Sequence, residues 1–265
     1  MCVAVQRIPL RERVQILPLR GSLKRITRWS PVHLKKMWQD STLISIEKET
    51  ENTWKFVIKV HSDFKYIPGQ FVQIKVNDLV RSYSISSYGI DGNIFELIIV
   101  KLEGGKMTNY LFEHAKEGDN ILIKGPLGKF TLPETISGDI LFVCTGTGIA
   151  PFRSILQSLV NQKVNHKNIY LIFGTRERKD ILYPEEMKNF ENLIKGYKYI
   201  PVLSREKWEG MTGYVHNQYL DLIKNNKLED PIFYLCGWRD MIKEARGNLK
   251  DLGFDSKKIK LEIYG

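Results

Sequence analysis

ILFVCTGTGIAPF, residues 140–152, decides the fold. The apolar run Ile140–Cys144 has the length and content of a buried strand, and Thr145-Gly146-Thr147-Gly148 turns out of it. Pro151 suits the first turn of a helix, where no backbone N–H is needed. Beyond it Phe152, Ile155, Leu156, Leu159 and Val160 recur at i, i+3, i+4, i+7 and i+8, the stripe of a helix laid on a sheet. Strand-like runs follow at Ile169–Phe173, Tyr199–Leu203, Ile232–Cys236 and Ile259–Tyr264, with helical patterns between them. The alternation predicts an α/β doubly wound parallel sheet, whose ligands sit at the carboxyl ends of its strands. Glycines let a ligand approach the backbone, and the helix start offers N–H groups and a positive dipole end to a pyrophosphate.

Upstream the rhythm differs. Leu43–Ile46, Trp54–Val60, Phe71–Val76, Ser82–Ser86, Ile94–Val100 and Ile121–Lys124 read as short strands, punctuated by Pro68-Gly69, Asp91-Gly92 and Gly125-Pro126. Six strands at this spacing predict a closed antiparallel β-barrel. Thr108 reads as the N-cap of one interrupting helix over Asn109–Ala115. The expected organisation is a basic extension at 1–36, a barrel domain at 37–137 and an α/β nucleotide-binding domain at 138–265.

The chain has 265 residues and a formal net charge of +10, which prompts a search for an anionic polymer as partner. The distribution of charge argues against one. Residues 1–36 hold nine Lys or Arg and one acid, Glu12, whereas 37–265 hold 31 basic and 29 acidic residues. Nucleic acid is therefore not an expected partner. The segment contains Pro9, Pro18 and Pro31, and three readings stay open: a basic arm, an organellar transit peptide, or codons upstream of a start at Met37. The body is expected to be a cytoplasmic monomer, or organellar if the leader is a transit peptide. No window of eighteen uninterrupted apolar residues exists, which excludes a spanning helix. Cys2, Cys144 and Cys236 lie too far apart for a disulfide framework, a Cys-x-x-Cys zinc site or a chain-borne iron–sulfur cluster. His33, His61, His114, His166 and His216 show no ligand spacing, so no metal is expected.

The glycine turn departs from the usual dinucleotide fingerprint. Pro151 stands where its third glycine would be, and the next strand ends in Gly174-Thr175-Arg176 with no acid for a ribose diol. A simple NAD dehydrogenase is disfavoured. The barrel carries its own candidates. Arg81-Ser82-Tyr83-Ser84 places a guanidinium, a flat ring and a hydroxyl on one strand, and Gly104-Gly105-Lys106-Met107-Thr108 opens a helix as a second anion cradle.

RSYS, GGKMT, CTGTGIAPF, FGTRERKDILY, LSRE, FYLCGWRDM and the terminal LEIYG occur in that order. Over about residues 40–265 the chain thereby resembles the ferredoxin–NADP reductase family of FAD-dependent flavoproteins. The resemblance implies that Arg81 pairs with the FAD pyrophosphate, Tyr83 packs on the flavin, and Ser84 reaches its N5 atom. Gly105, Lys106, Met107 and Thr108 would bind pyrophosphate through backbone N–H groups. Thr145, Gly146, Thr147 and Gly148 would cradle the nicotinamide dinucleotide, with Pro151 shaping the turn. Cys236 and Gly237 match the family's Cys-Gly beside the nicotinamide, and Glu262 and Tyr264 its terminal Glu-x-Tyr. In that pattern the Tyr ring covers the flavin and yields to nicotinamide. Gly265 is a departure, because the plant-type enzymes end on the Tyr itself.

Ser204-Arg205 matches the Ser-Arg that grips a 2′-phosphate, and Tyr214 the Tyr that stacks on adenine. Thr212 stands where the family has Lys, a gap Arg176 or Lys207 would fill. The expected nucleotide is NADP, with NAD as the alternative. The implied chemistry is hydride transfer between nicotinamide C4 and flavin N5, with Ser84, Cys236, Glu262 and Tyr264 around the reacting atoms, followed by one-electron transfer to or from a ferredoxin or flavodoxin. Two other readings are the reductase component of an oxygenase system and a non-catalytic flavin electron-transfer subunit. The latter usually carries a cysteine cluster, which this sequence does not have.

Overall fold

Strict alternation builds the first sheet. In β3 (Phe71–Val76) Val72, Ile74 and Val76 are buried while Phe71, Gln73 and Lys75 are not, the pattern of a strand with one wet face. The computed structural model describes residues 37–90, 93–162, 165–225 and 228–264; the basic segment 1–36, the Asp91-Gly92 turn and Gly265 lie outside them. β1 (Gln39–Lys48), β2 (Thr53–Val60), β3, β4 (Leu79–Ser84), β5 (Ile94–Val100) and β6 (Asn120–Leu127) form one antiparallel sheet ordered β4-β3-β6-β1-β2-β5. An antiparallel bridge between Ile85 and Leu97, with Ser86 N–H donating to Glu96 O at 2.8 Å, closes it into the expected barrel. Phe56, Ile58, Val72, Ile74, Phe95, Leu97 and Ile123 fill the interior.

Several element limits differ from the sequence reading. β4 runs Leu79–Ser84 rather than Ser82–Ser86, because Asn77-Asp78 forms a two-residue hairpin turn with Asn77 at φ +50° and starts the strand early. Helix α1 spans Lys106–Glu113, and its N-cap is Gly105 rather than Thr108. Thr108 sits inside the first turn, where its hydroxyl donates to Gly105 O at 3.0 Å and accepts from Leu102 N–H at 3.2 Å. Met107 and Leu111 of α1 enter the barrel core.

The second sheet has the opposite burial logic. β7 (Ile140–Thr145) is buried at five consecutive positions, as a strand covered on both faces must be. β8 (Ile169–Thr175), β9 (Tyr197–Leu203), β10 (Met211–Thr212), β11 (Ile232–Trp238) and β12 (Ile259–Tyr264) join it in the order β10-β9-β8-β7-β11-β12, every pair parallel. Helices α2 (Ala150–Gln162) and α3 (Pro184–Leu193) cover the face that carries Phe142 and Cys144. Helices α4 (Val215–Lys224) and α5 (Arg239–Asp251) cover the face that carries Leu141 and Val143. The chain leaves β7 in one direction for β8 and returns on its other side as β11, so the crevice at the β7 and β11 carboxyl ends is the switch point where such sheets bind ligands. β11 runs on through Cys236 to Trp238, two residues beyond the end expected. Among the described residues no helix is long and apolar enough to cross a membrane.

Candidate functional site

At that switch point β7 ends and a 3₁₀ turn, Gly146–Ile149, intervenes before α2 begins at Ala150. Gly146 has φ +53°, a conformation that favours glycine. Gly148 is needed for a different reason: a Cβ there would overlap the carbonyl of Cys236 and lie 3.0 Å from Gly237 Cα. The turn therefore lies directly against the end of β11. Gly237, at φ +143°, leaves room for the Thr145 side chain.

Two clefts meet at this point. The first, about 570 Å³, runs from the barrel strand β4 across the start of α1 to the ends of β11 and β12. Arg81, Tyr83 and Ser84 line one wall, Gly105 to Thr108 the next, and Thr145, Thr147, Gly237, Glu262 and Tyr264 the far side. The second, about 790 Å³, leads outward over the parallel sheet and includes Thr145, Gly146, Thr147, Arg176, Ser204 and Tyr214. Thr145 and Thr147 belong to both.

Four expected residues line neither cleft. Gly148 lies beneath the turn, Pro151 is buried in α2, and Cys236 is fully buried behind Gly237. Arg205 is exposed and joins the second cleft through its neighbour, its N–H donating to Arg176 O at 3.0 Å. The sequence reading missed Thr50 and Asn52, brought in by the β1–β2 turn, and His216, Met241 and Trp238. Trp238 is half exposed and borders both clefts. Its signal was its place directly after Cys236-Gly237.

Side chains at the junction form a chain of hydrogen bonds. Tyr264 OH donates to Ser84 Oγ at 2.5 Å, and Ser84 Oγ donates to Glu262 Oε2 at 2.7 Å. The Cys236 thiol is a hydrogen-bond neighbour of the same Tyr264 hydroxyl. The register explains the assembly: β12 pairs in parallel with β11, which sets Glu262 beside Cys236 and Tyr264 beside Trp238. Ser84 arrives from the barrel as the last residue of β4. Burial raises the pKa of Glu262 and the Ser84 bond opposes it, so the net effect is a carboxyl more easily protonated than usual. Burial also pushes the Cys236 thiol and the Tyr264 phenol up, and holds Tyr83 at about 12. The junction is thus partly buried, neutral in its thiol and phenols, and able to hold a proton.

Residues 142–247 match the model of the oxidoreductase NAD-binding domain, and residues 40–132 that of the oxidoreductase FAD-binding domain. The toluate 1,2-dioxygenase electron transfer component of Pseudomonas putida is 33% identical over 229 residues, covering 84% of this chain and 67% of that protein. The anthranilate 1,2-dioxygenase electron transfer component of Acinetobacter baylyi is 30% identical over 187 residues, covering 68% and 53%. The chain spans between half and two-thirds of the length of these curated relatives. Among solved structures, a ferredoxin NADP+ reductase from Neisseria gonorrhoeae with bound FAD and NADP superposes with a TM-score of 0.72 at 24% identity, over 85% of this chain and 98% of that one.

The residues present fit the two groups these models imply. A flavin dinucleotide needs a pocket of several hundred Å³ with few, placed polar groups. The first cleft supplies the volume, the Tyr83 ring, the Arg81 guanidinium and the first-turn N–H groups of α1, which have no partner within the helix. Thr145 Oγ1 is buried at the shared wall without a hydrogen-bond partner, an opening for a ligand atom.

Proposed function

Because the chain belongs to the ferredoxin reductase-like family of FAD-dependent oxidoreductases, we propose that it exchanges electrons between NADP(H) and a separate one-electron carrier protein, a ferredoxin or flavodoxin. The observation that carries this is the Tyr264–Ser84–Glu262 chain in the barrel cleft, which meets the sheet cleft at Thr145 and Thr147. When bound, FAD accepts two electrons from a nicotinamide and releases them singly.

The protein's part is to bind, orient and exclude water. Arg81 and the start of α1 hold the FAD phosphates, and Tyr83 offers its ring to the flavin. Ser84 presents a hydroxyl already oriented by its two partners. Thr145, Gly146 and Thr147 receive the dinucleotide through the turn, whose close seat on β11 is enforced by Gly148. Glu262, with its raised pKa, holds or releases a proton at Ser84 Oγ. Tyr264 closes the junction from the sheet side while no nicotinamide is there, and Cys236 fixes the Tyr264 hydroxyl from behind. At the outer end Ser204, Arg205 and Arg176 take a 2′-phosphate and Tyr214 the adenine, which supports NADP over NAD. The unit binding FAD is assigned to 37–137 and the unit binding nucleotide to 138–265.

A second reading, the reductase component of an oxygenase system, is favoured by the dioxygenase relatives and shares every step except the acceptor. Anaerobic stopped-flow mixing with NADPH and NADH, followed by ferredoxin, flavodoxin or an oxygenase component as acceptor, separates the readings. A protein that binds no FAD, or whose flavin neither nucleotide reduces, overturns both.

A further inference from the structure

Away from both clefts, one guanidinium ties the barrel to the parallel sheet. Arg153, in the first turn of α2, is 8% exposed. Its Nη1 donates to Ser86 O at 2.8 Å and to Glu96 Oε2 at 2.5 Å, both on the barrel. Its Nε donates to Glu186 Oε2 at 2.6 Å, on α3. The group lies 4.2 Å from the centre of the Tyr183 ring, and Tyr183 reaches it from a left-handed backbone, φ +53°. A bulky residue held at positive φ stores strain that its surroundings must offset. Neighbouring bonds repeat the connection: Ser154 Oγ donates to Ser87 O at 2.7 Å, and Tyr88 N–H donates to Gln157 Oε1 at 2.6 Å.

The placement of the clasp matters more than its strength. Ser86 lies two residues after Ser84, and Arg153 five residues after Gly148. The same Ser86 N–H donates to Glu96 O in closing the barrel. One guanidinium therefore bridges the shortest covalent routes out of the two halves of the junction, the end of β4 and the glycine turn. A charged pair alone on a surface would do little. Here the planar fork addresses three acceptors at fixed angles, and that fixes orientation.

We propose that Arg153 is a positioning residue for hydride transfer: clasped between Ser86, Glu96 and Glu186, it sets the placement of the glycine turn relative to Ser84. The proposal rests on the nicotinamide-to-flavin reaction above. Misplacement of reacting groups by about 1 Å costs on the order of 100-fold in rate, so a loosened clasp slows the chemical step more than it weakens binding.

The test uses the FAD-loaded full chain with Arg153→Met, Arg153→Lys, Glu96→Gln and the double Arg153→Met/Glu96→Gln variant. Limiting flavin-reduction rate and nucleotide Kd come from anaerobic stopped-flow titration, and amide hydrogen exchange is followed at residues 86–88 and 150–158. Arg153→Met is expected to lower the limiting rate by roughly 10- to 100-fold, with Kd and FAD content within about 3-fold of the parent, and to speed exchange at Tyr88. Arg153→Lys should fall between, and the double variant should be no slower than Arg153→Met alone, as for residues acting through one network. An unchanged limiting rate, or a loss matched by equal loss of nucleotide or FAD binding, overturns the proposal. Should Arg153→Met not fold, Glu96→Gln with Glu186→Gln keeps the guanidinium and removes both charges; an unchanged limiting rate there also overturns it. If neither nucleotide reduces even the parent flavin, the functional reading fails instead. The exchange data still judge the clasp, and unaltered exchange at Tyr88 in the variants rejects it.

Discussion

The two ends of the proposed nicotinamide path are built to opposite standards. At the junction, Tyr264, Ser84 and Glu262 are linked by bonds of 2.5 and 2.7 Å and come from two different sheets. At the outer end Tyr214 is 69% exposed, and Arg205 and Arg176 are solvent-facing cations joined through one backbone bond. The first region has its polar side chains bonded to one another; the second presents its side chains to solvent. The contrast follows from what each must do. Chemistry demands reacting groups held to fractions of an ångström, whereas recognition of a phosphate tolerates a flexible guanidinium whose charge acts at longer range.

If the junction is the rigid member, filling it should be the most damaging change. Gly148→Ala places a methyl group onto the Cys236 carbonyl and within 3.0 Å of Gly237 Cα, all of it backbone that cannot swing aside. Flavin reduction by NADPH should fall about 100-fold or more, the scale of an ångström-sized displacement, while the flavin absorbance of the purified protein stays unchanged. Equal rates in variant and parent would mean that the turn gives way easily, and the contrast between the two regions would collapse.

Removing the shared hydroxyl comes next. Ser84→Ala leaves the Tyr264 phenol without its acceptor and Glu262 without its donor, each worth about 1–3 kcal/mol when buried. The expected result is a flavin-reduction rate lower by about 10- to 100-fold with FAD retained, read in the same stopped-flow experiment. A rate unaffected by Ser84→Ala would move the working groups elsewhere in the cleft.

The sequence was most legible where one local rule dominates. Phe71–Val76 alternates and Ile140–Cys144 is uniformly apolar, and both became strands with almost those limits. Met211–Thr212 could not be read: β10 is two exposed residues long, held by pairing with β9 and carrying no pattern of its own. Thr108 looks like a cap by residue type, but Gly105 takes that place and the Thr108 hydroxyl ties down the preceding loop. Within the site, motif residues such as Arg81, Tyr83 and Gly146 lie on the clefts, each signalled by its own neighbours in sequence. Thr50 and Asn52 reach the second cleft only because the barrel closes as it does, which no short window records. Arg153 is the extreme case. Its partners lie 57 and 33 residues away, so its role appears only once barrel and sheet are assembled.

The outer end is probed by Arg205→Ala. A charge-assisted contact to a 2′-phosphate is worth about 1.5–3 kcal/mol, so kcat/KM for NADPH should fall about 10- to 100-fold while that for NADH stays within about 2-fold. A variant that keeps its preference would transfer the phosphate contact to Arg176, which already lines the cleft. Equal losses for both nucleotides would mean that Arg205 shapes the loop rather than reading the phosphate.

The smallest effect expected is thermodynamic, and it asks how far burial at the junction penalises the Glu262 charge. Burial raises the folded-state pKa of Glu262 above its ordinary value near 4.5. Between the unfolded and folded values the native protein binds more protons than the unfolded chain, so stability falls as pH rises through that window. The contribution of neutral Glu262 is complete below about pH 4.5 and lost above the folded pKa. Glu262→Gln carries no such penalty. Its Tm relative to the parent should therefore climb as pH rises from about 4.5 and level off at the folded pKa. The size of the climb is set by how far burial raises the folded pKa. A difference that stays flat between pH 4 and 8 would make Glu262 an ordinary solvated carboxylate. The junction would then be as open to water as the outer end, and its rigidity would have to come from packing by Gly148 and Gly237 rather than from its hydrogen bonds.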